Sequence, residues 1–99
     1  GLTLAKVKKL NIDSLIKVIS NGAAQSWQLE NRALTMWKNK FNFGFMNKLM
    51  LKDLKILLDE SKSSNIKLPI TKQIKSFYVS LVKKGYSKED TSNLIRLLR

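Results

Sequence analysis

Apolar residues recur along this chain at three- and four-residue spacing, the period of a helix that buries one side. No stretch sustains the period-two alternation of a half-buried strand. Gly is rare and Pro occurs once, so the pattern predicts helices almost throughout, in one all-α unit. A first helix is expected over about residues 2–10. It opens without a capping side chain, as a helix continuing from an upstream segment would. Asn11-Ile12-Asp13 breaks the pattern. Asp13 or Ser14 can then cap a short second helix carrying Leu15, Ile16, Val18 and Ile19. Asn21-Gly22 offers a left-handed position to end it. Ser26 can cap a third helix, in which Trp27, Leu34 and Trp37 share a face. A turn from Asn39 to Gly44 leads into a fourth helix over about 45–62, closed by Ser63-Ser64-Asn65. Pro69 suits the first turn of a fifth helix, where its missing N–H costs nothing. Ile70, Ile74, Phe77, Tyr78 and Leu81 line that helix as far as Gly85. The stretch from Ser87 to Asp90 can cap a last helix with Leu94, Ile95, Leu97 and Leu98.

The fourth helix carries an anomaly. On a wheel at 100° per residue, Met46, Leu49, Met50, Leu54, Leu57 and Leu58 fall on one face. Asp53 falls near the middle of that face. An unpaired buried carboxylate is costly. Asp53 is therefore expected to have a partner, such as a loop backbone, Arg32 or Arg96, or else to face a cleft. Lys52 stands on the flank of the stripe, where a solvated lysine is the ordinary reading. Trp27 and Trp37 could stack bases, but their spacing with Leu34 fits a core better. Phe41, Phe43 and Phe45 either line a pocket or anchor a loop.

With 99 residues, 43% of them hydrophobic, the chain suits one small domain. That is near the size where a neighbouring domain or a second copy often supplies missing burial. The absence of Cys and His excludes disulfides, thiolate sites, and the commonest metal ligand and general base. Ser26, Ser87 and Ser92 thus lack a histidine to activate them and read as caps. No Gly-rich phosphate loop and no acidic metal cluster is present. No apolar run is long enough to span a membrane, and no signal peptide is evident, so a cytoplasmic location is expected. The formal charge of +12 favours anionic partners. The lysines are spread over every segment, however, so a nucleic-acid-binding module or an oligomerisation scaffold is the alternative rather than the leading reading.

The residues already singled out also form a familiar series. Phe41-Asn-Phe-Gly44-Phe45, followed by Leu49-Met-Leu-Lys52-Asp53-Leu54, resembles the F-x-x-x-F…L-x-x-K-D-L signature of the β-hydroxyacid dehydrogenase family. Leu68-Pro69 follows at the expected place, and Gly85, Asp90 and Ser92 resemble the family's closing G…D-x-S segment. Val18 to Trp27, with Leu29-Glu-Asn-Arg32, is similar to one proteobacterial-style branch. The resemblance spans essentially the whole chain and points to the 3-hydroxyisobutyrate dehydrogenase group.

The resemblance implies a compact bundle of about five to six helices, like the C-terminal domain of 6-phosphogluconate dehydrogenase-like proteins. It implies residues 1–99 as one such domain, partnered by an N-terminal Rossmann domain that binds NAD or NADP. Lys52 would contact the cofactor, and Phe45 and Asp53 would border the substrate cleft. A small hydroxy acid would be the substrate and a homodimer or higher homo-oligomer the assembly. The family's G-x-x-x-K-x-x-N segment and Gly-rich dinucleotide motif are absent from this chain. Lys6 lacks the Asn that would follow a catalytic lysine, so no catalytic residue is expected here, and no activity from the 99 residues alone. Leu57 and Ser61 stand where small residues are usual after K-D-L, which would alter packing against a partner.

Overall fold

The computed structural model describes residues 1–98, and among them every regular element is a helix. Five α-helices run over Leu2–Val7 (α1), Ile12–Ser20 (α2), Trp27–Trp37 (α3), Asn47–Ser63 (α4) and Pro69–Lys83 (α5). The last element, Thr91–Leu98, is a 3₁₀ helix. α4 and α5 form an antiparallel pair, α2 packs on α3, and the 3₁₀ helix packs against α3 and α5. No described helix is long and apolar enough to cross a membrane.

The helix ends follow local chemistry. Ser26 caps α3 by accepting the Leu29 N–H at 3.0 Å. α2 is capped two or three residues earlier than expected, by Asn11 accepting from Ser14 at 2.9 Å, not by Asp13 or Ser14. Pro69 opens α5. Four α-helices stop the same way, with a left-handed residue just past the end: Lys9, Asn39, Asn65 and Gly85. In each case the next N–H reaches back to a carbonyl in the last turn, for example Leu10 to Ala5 and Tyr86 to Leu81. Lys9 ends α1 at Val7, short of the expected residue 10, because the turn closes without needing glycine. α2 departs from the rule: Asn21 has φ −93°, and Gly22 is not left-handed.

α4 has no capping side chain. Its first N–H groups are satisfied from across the chain instead, Asn47 donating to the Glu89 carbonyl at 2.9 Å and Lys48 to Ser87 at 3.0 Å. The two segments pair antiparallel at Met46 and Asp90. Asp90, 2% exposed, closes this junction. Its carboxylate accepts from the Phe45 N–H at 2.9 Å, the Ser92 N–H at 3.1 Å, the Ser92 hydroxyl, and Arg32 Nε at 3.2 Å. A second buried cluster lies beside it. Asn47, fully buried, donates to the Tyr86 carbonyl and to Asn93 Oδ1, and Asn93 donates to Glu89, which holds Arg96.

The apolar core is small, with Ala5, Ala33, Phe41, Leu58, Tyr78, Leu81 and Ile95 as its buried members. Many large apolar side chains remain exposed, including Leu4, Val18, Ile56, Ile70 and Leu98. The Cα radius of gyration is 15.3 Å, against roughly 13 Å for a compact 100-residue domain. The chain is elongated and leaves apolar surface uncovered.

Two measurements test this junction. Gly44 has φ +74°, and a Cβ there would overlap the Asp90 carboxylate and press on Arg32 Nη2 at 3.0 Å. Gly44→Ala is expected to lower unfolding free energy by about 2–3 kcal/mol in urea titration. The second is acid sensitivity. Burial alone would raise the Asp90 pKa, but the Ser92 hydroxyl and N–H, the Phe45 N–H and Arg32 outweigh it and hold it below the usual 3.8. A lowered folded pKa means that this contribution is complete above pH 3.8 and is lost as pH falls through the folded value. Asp90→Asn should be about 2–3 kcal/mol less stable at neutral pH and show a shallower acid loss. Equal acid slopes would remove Asp90 from this role. At the other extreme, burial raises Tyr78 to about 12 from 10.0. Its contribution is full below pH 10.0 and is lost as pH rises towards about 12. Tyr78→Phe should lack that alkaline loss.

Candidate functional site

α4 positions all three residues expected to border the site. Phe45 lies just before the N-cap residue Met46, and Lys52 and Asp53 lie in the second turn of the helix. The Phe45 main chain is held on both sides, its N–H by Asp90 and its carbonyl by the Thr91 N–H at 2.9 Å. Its ring is left 40% exposed. Lys52 Nζ lies 3.9 Å from Asp53 Oδ1, and both side chains are more than half exposed. An ion pair of that length in water is weak, so the ammonium remains available to an anion.

Asp53 has neither of the arginine partners considered from the sequence. Arg32 serves Asp90, and Arg96 pairs with Glu89 at 3.1 Å. The rotation of α4 explains why it needs none. The seam turned inward is Asn47, Leu51, Leu54, Leu58 and Ser61, not the stripe centred near Asp53. Met46, Ile56 and Leu57 are left exposed around it. The helix is turned about a quarter revolution from the apolar wheel because two polar residues go inside. Asn47 finds partners in Tyr86 and Asn93, and Ser61 donates to the Leu58 carbonyl at 2.8 Å. Lys52, Asp53 and Leu57 then follow one another around an outward side of α4, with the exposed Phe45 and Met46 just before its start.

The aromatic residues divide by role. Phe41 is buried and stacks on Arg96, which also meets the Tyr86 ring at 4.4 Å. Phe43 and Trp27 sandwich the Arg32 guanidinium at 4.9 and 4.8 Å. Trp27 is 58% exposed, so it is not the core residue its spacing suggested. Trp37 is half-buried, with Lys6 Nζ 5.5 Å above its ring. Among the described residues, no group of three His, Cys, Asp or Glu converges as a metal centre would. The supporting residues Asn47 and Asn93 had no sequence signal: buried asparagines resemble surface ones until their partners are placed.

A family model described as "NAD-binding of NADP-dependent 3-hydroxyisobutyrate dehydrogenase" matches residues 1–98. The chain belongs to this family. It is 43% identical over 98 residues to a protein from Shewanella frigidimarina named "Uncharacterized oxidoreductase", covering 99% of this chain and 34% of that protein. It is 31% identical over 97 residues to the Bacillus subtilis oxidoreductase YkwC, covering 98% and 34%. An L-threonate dehydrogenase of Escherichia coli K12 is 27% identical, covering 98% and 32%. The chain thus spans about a third of the length of the curated relatives it matches. Among solved structures, a 3-hydroxyisobutyrate dehydrogenase (ygbJ) from Salmonella typhimurium superposes with a TM-score of 0.82 at 26% identity, covering 97% of this chain and 34% of that one. The Mycobacterium tuberculosis 3-hydroxyisobutyrate dehydrogenase gives 0.84 at 24% identity, covering 99% and 36%, and shares the fold. The family and the helical architecture agree with the motif series around Lys52.

Because Asp53 is exposed and its ion pair is long, Asp53→Leu is expected to change the stability of this chain by under about 1 kcal/mol. A loss of more than about 2 kcal/mol in urea titration would instead make it a structural partner.

Proposed function

We propose that this chain is the substrate-cleft domain of an NAD(P)-dependent dehydrogenase acting on a small 3-hydroxy acid. The supporting observation is the exposed pair Lys52 and Asp53 on α4, with uncovered apolar residues around them and the exposed Phe45 ring just before the helix. A partner domain with a dinucleotide fold would cover that side, and the exposed apolar residues elsewhere would serve its assembly into a dimer or higher oligomer. The relatives' names, L-threonate and 3-hydroxyisobutyrate dehydrogenases, support a small hydroxy acid as the substrate class.

In this reading the Lys52 ammonium holds the anionic or ribose edge of the dinucleotide. Its exposure and its loose contact with Asp53 fit that task. The Phe45 ring supplies an apolar wall that excludes water from the substrate's side. Asp53 accepts hydrogen bonds from hydroxyl groups at the cleft edge. A bound nicotinamide would supply the hydride chemistry at the carbinol carbon. The hydroxyl proton passes to a general base outside this chain, so the 99 residues alone are inactive.

The test uses this domain joined to its dinucleotide-binding partner. Lys52→Ala should weaken NAD(P)H binding about ten-fold, as loss of one charge-assisted contact would, without changing the melting temperature. Phe45→Ala should raise the hydroxy-acid KM while leaving cofactor affinity intact. Unchanged cofactor affinity in Lys52→Ala, or NADH turnover by the isolated 99 residues, would overturn the assignment.

A further inference from the structure

The far end of the α4–α5 pair holds a groove of ≈ 410 Å³ that the dehydrogenase reading does not use. Leu58 and Val79 form its apolar floor. α4 contributes Asp59 and Lys62, and α5 contributes Lys72, Lys75 and Ser76. Lys62 lies 3.6 Å from Asp59. Among the described residues, Lys72 and Lys75 have no acidic partner, although Lys75 is half-buried. Three ammonium groups and one carboxylate leave the groove at +2. Like charges one turn apart on α5 repel. The Ser76 hydroxyl donates to the Gln73 carbonyl at 2.7 Å, so the lysines supply the charge.

We propose that this groove binds an organic phosphate monoester. A monoester carries nearly two negative charges at neutral pH, matching the uncompensated +2. A phosphodiester backbone would bring one charge per unit and need a longer track. The floor of Leu58 and Val79 takes the apolar body of the ester, which inorganic phosphate lacks. Lys62 lies ten residues beyond Lys52, about 15 Å along α4, so the groove is separate from the dinucleotide contact. The phosphate can belong to a soluble ester or to a lipid headgroup.

The experiment is an amide ¹H–¹⁵N titration of the 99-residue chain with phenyl phosphate and with inorganic phosphate. A sedimentation arm uses vesicles with and without phosphatidate. Expected shifts are confined to residues 58–62 and 72–79, with phenyl phosphate binding at least about three-fold tighter than inorganic phosphate. The double variant Lys72→Glu/Lys75→Glu changes exposed or half-exposed groups and should keep its circular dichroism. It should bind at least about ten-fold more weakly, while Lys17→Glu, an exposed change on α2, binds like the parent. Binding confined to phosphatidate vesicles and lost in the double variant would assign the headgroup as the source. Shifts spread over all the lysine-bearing helices, equal affinity for the two phosphates, or survival of binding in the double variant would overturn the proposal. None of these outcomes depends on dehydrogenase activity.

Discussion

The architecture depends on one buried carboxylate. Asp90 gathers two backbone N–H groups, a hydroxyl and a guanidinium from three separate parts of the chain. Taking it out of water is favourable only because those donors are already in place. They fix the Gly44–Phe45 turn, and with it the start of α4. They also fix α3, through Arg32, and the entry to the terminal 3₁₀ helix, through Ser92. Gly44 follows from the same constraint, since any side chain there would occupy the carboxylate's space. Every position on α4 is therefore referred to Asp90, including those of Lys52 and Asp53.

Around that centre the domain is held together by polar groups as much as by apolar contact. Two arginines are each stacked between aromatic rings and tied to an acid, Arg32 with Asp90 and Arg96 with Glu89. Their planar cations serve both as packing material and as hydrogen-bond donors. Asn47 and Asn93 extend the network into the interior. A chain this short buries few large apolar side chains, and directional bonds set the positions that a larger core would otherwise set.

The same economy leaves apolar surface uncovered, and the outward side of α4 is the clearest case. Met46, Ile56 and Leu57 stand exposed beside Asp53 and Lys52. A charged pair among uncovered apolar residues is what the proposed cleft role, meeting a partner domain and an anionic cofactor, asks of this surface. The basic groove at the opposite end of the α4–α5 pair is a different environment, in which the cations outnumber the acids. One helix pair thus presents two surfaces of distinct character.

The sequence by itself determined the helical class, the punctuation at Ser26, Asn65, Pro69 and Gly85, and the motif series that marks the family. These depend on local spacing, on capping chemistry and on residue identity in order, all of which survive without coordinates. It did not determine which side of α4 faces inward. The wheel counts apolar residues, and Asn47 and Ser61 count as polar until their partners are known. The positive φ at Lys9 and the cap at Asn11 were illegible for a similar reason, since several neighbouring residues could serve. Asp90 and Arg32 were visible as separate residues, but not as a pair 58 positions apart. Only the tertiary structure could decide these points, because burying a polar group is favourable only when distant donors and acceptors converge on it.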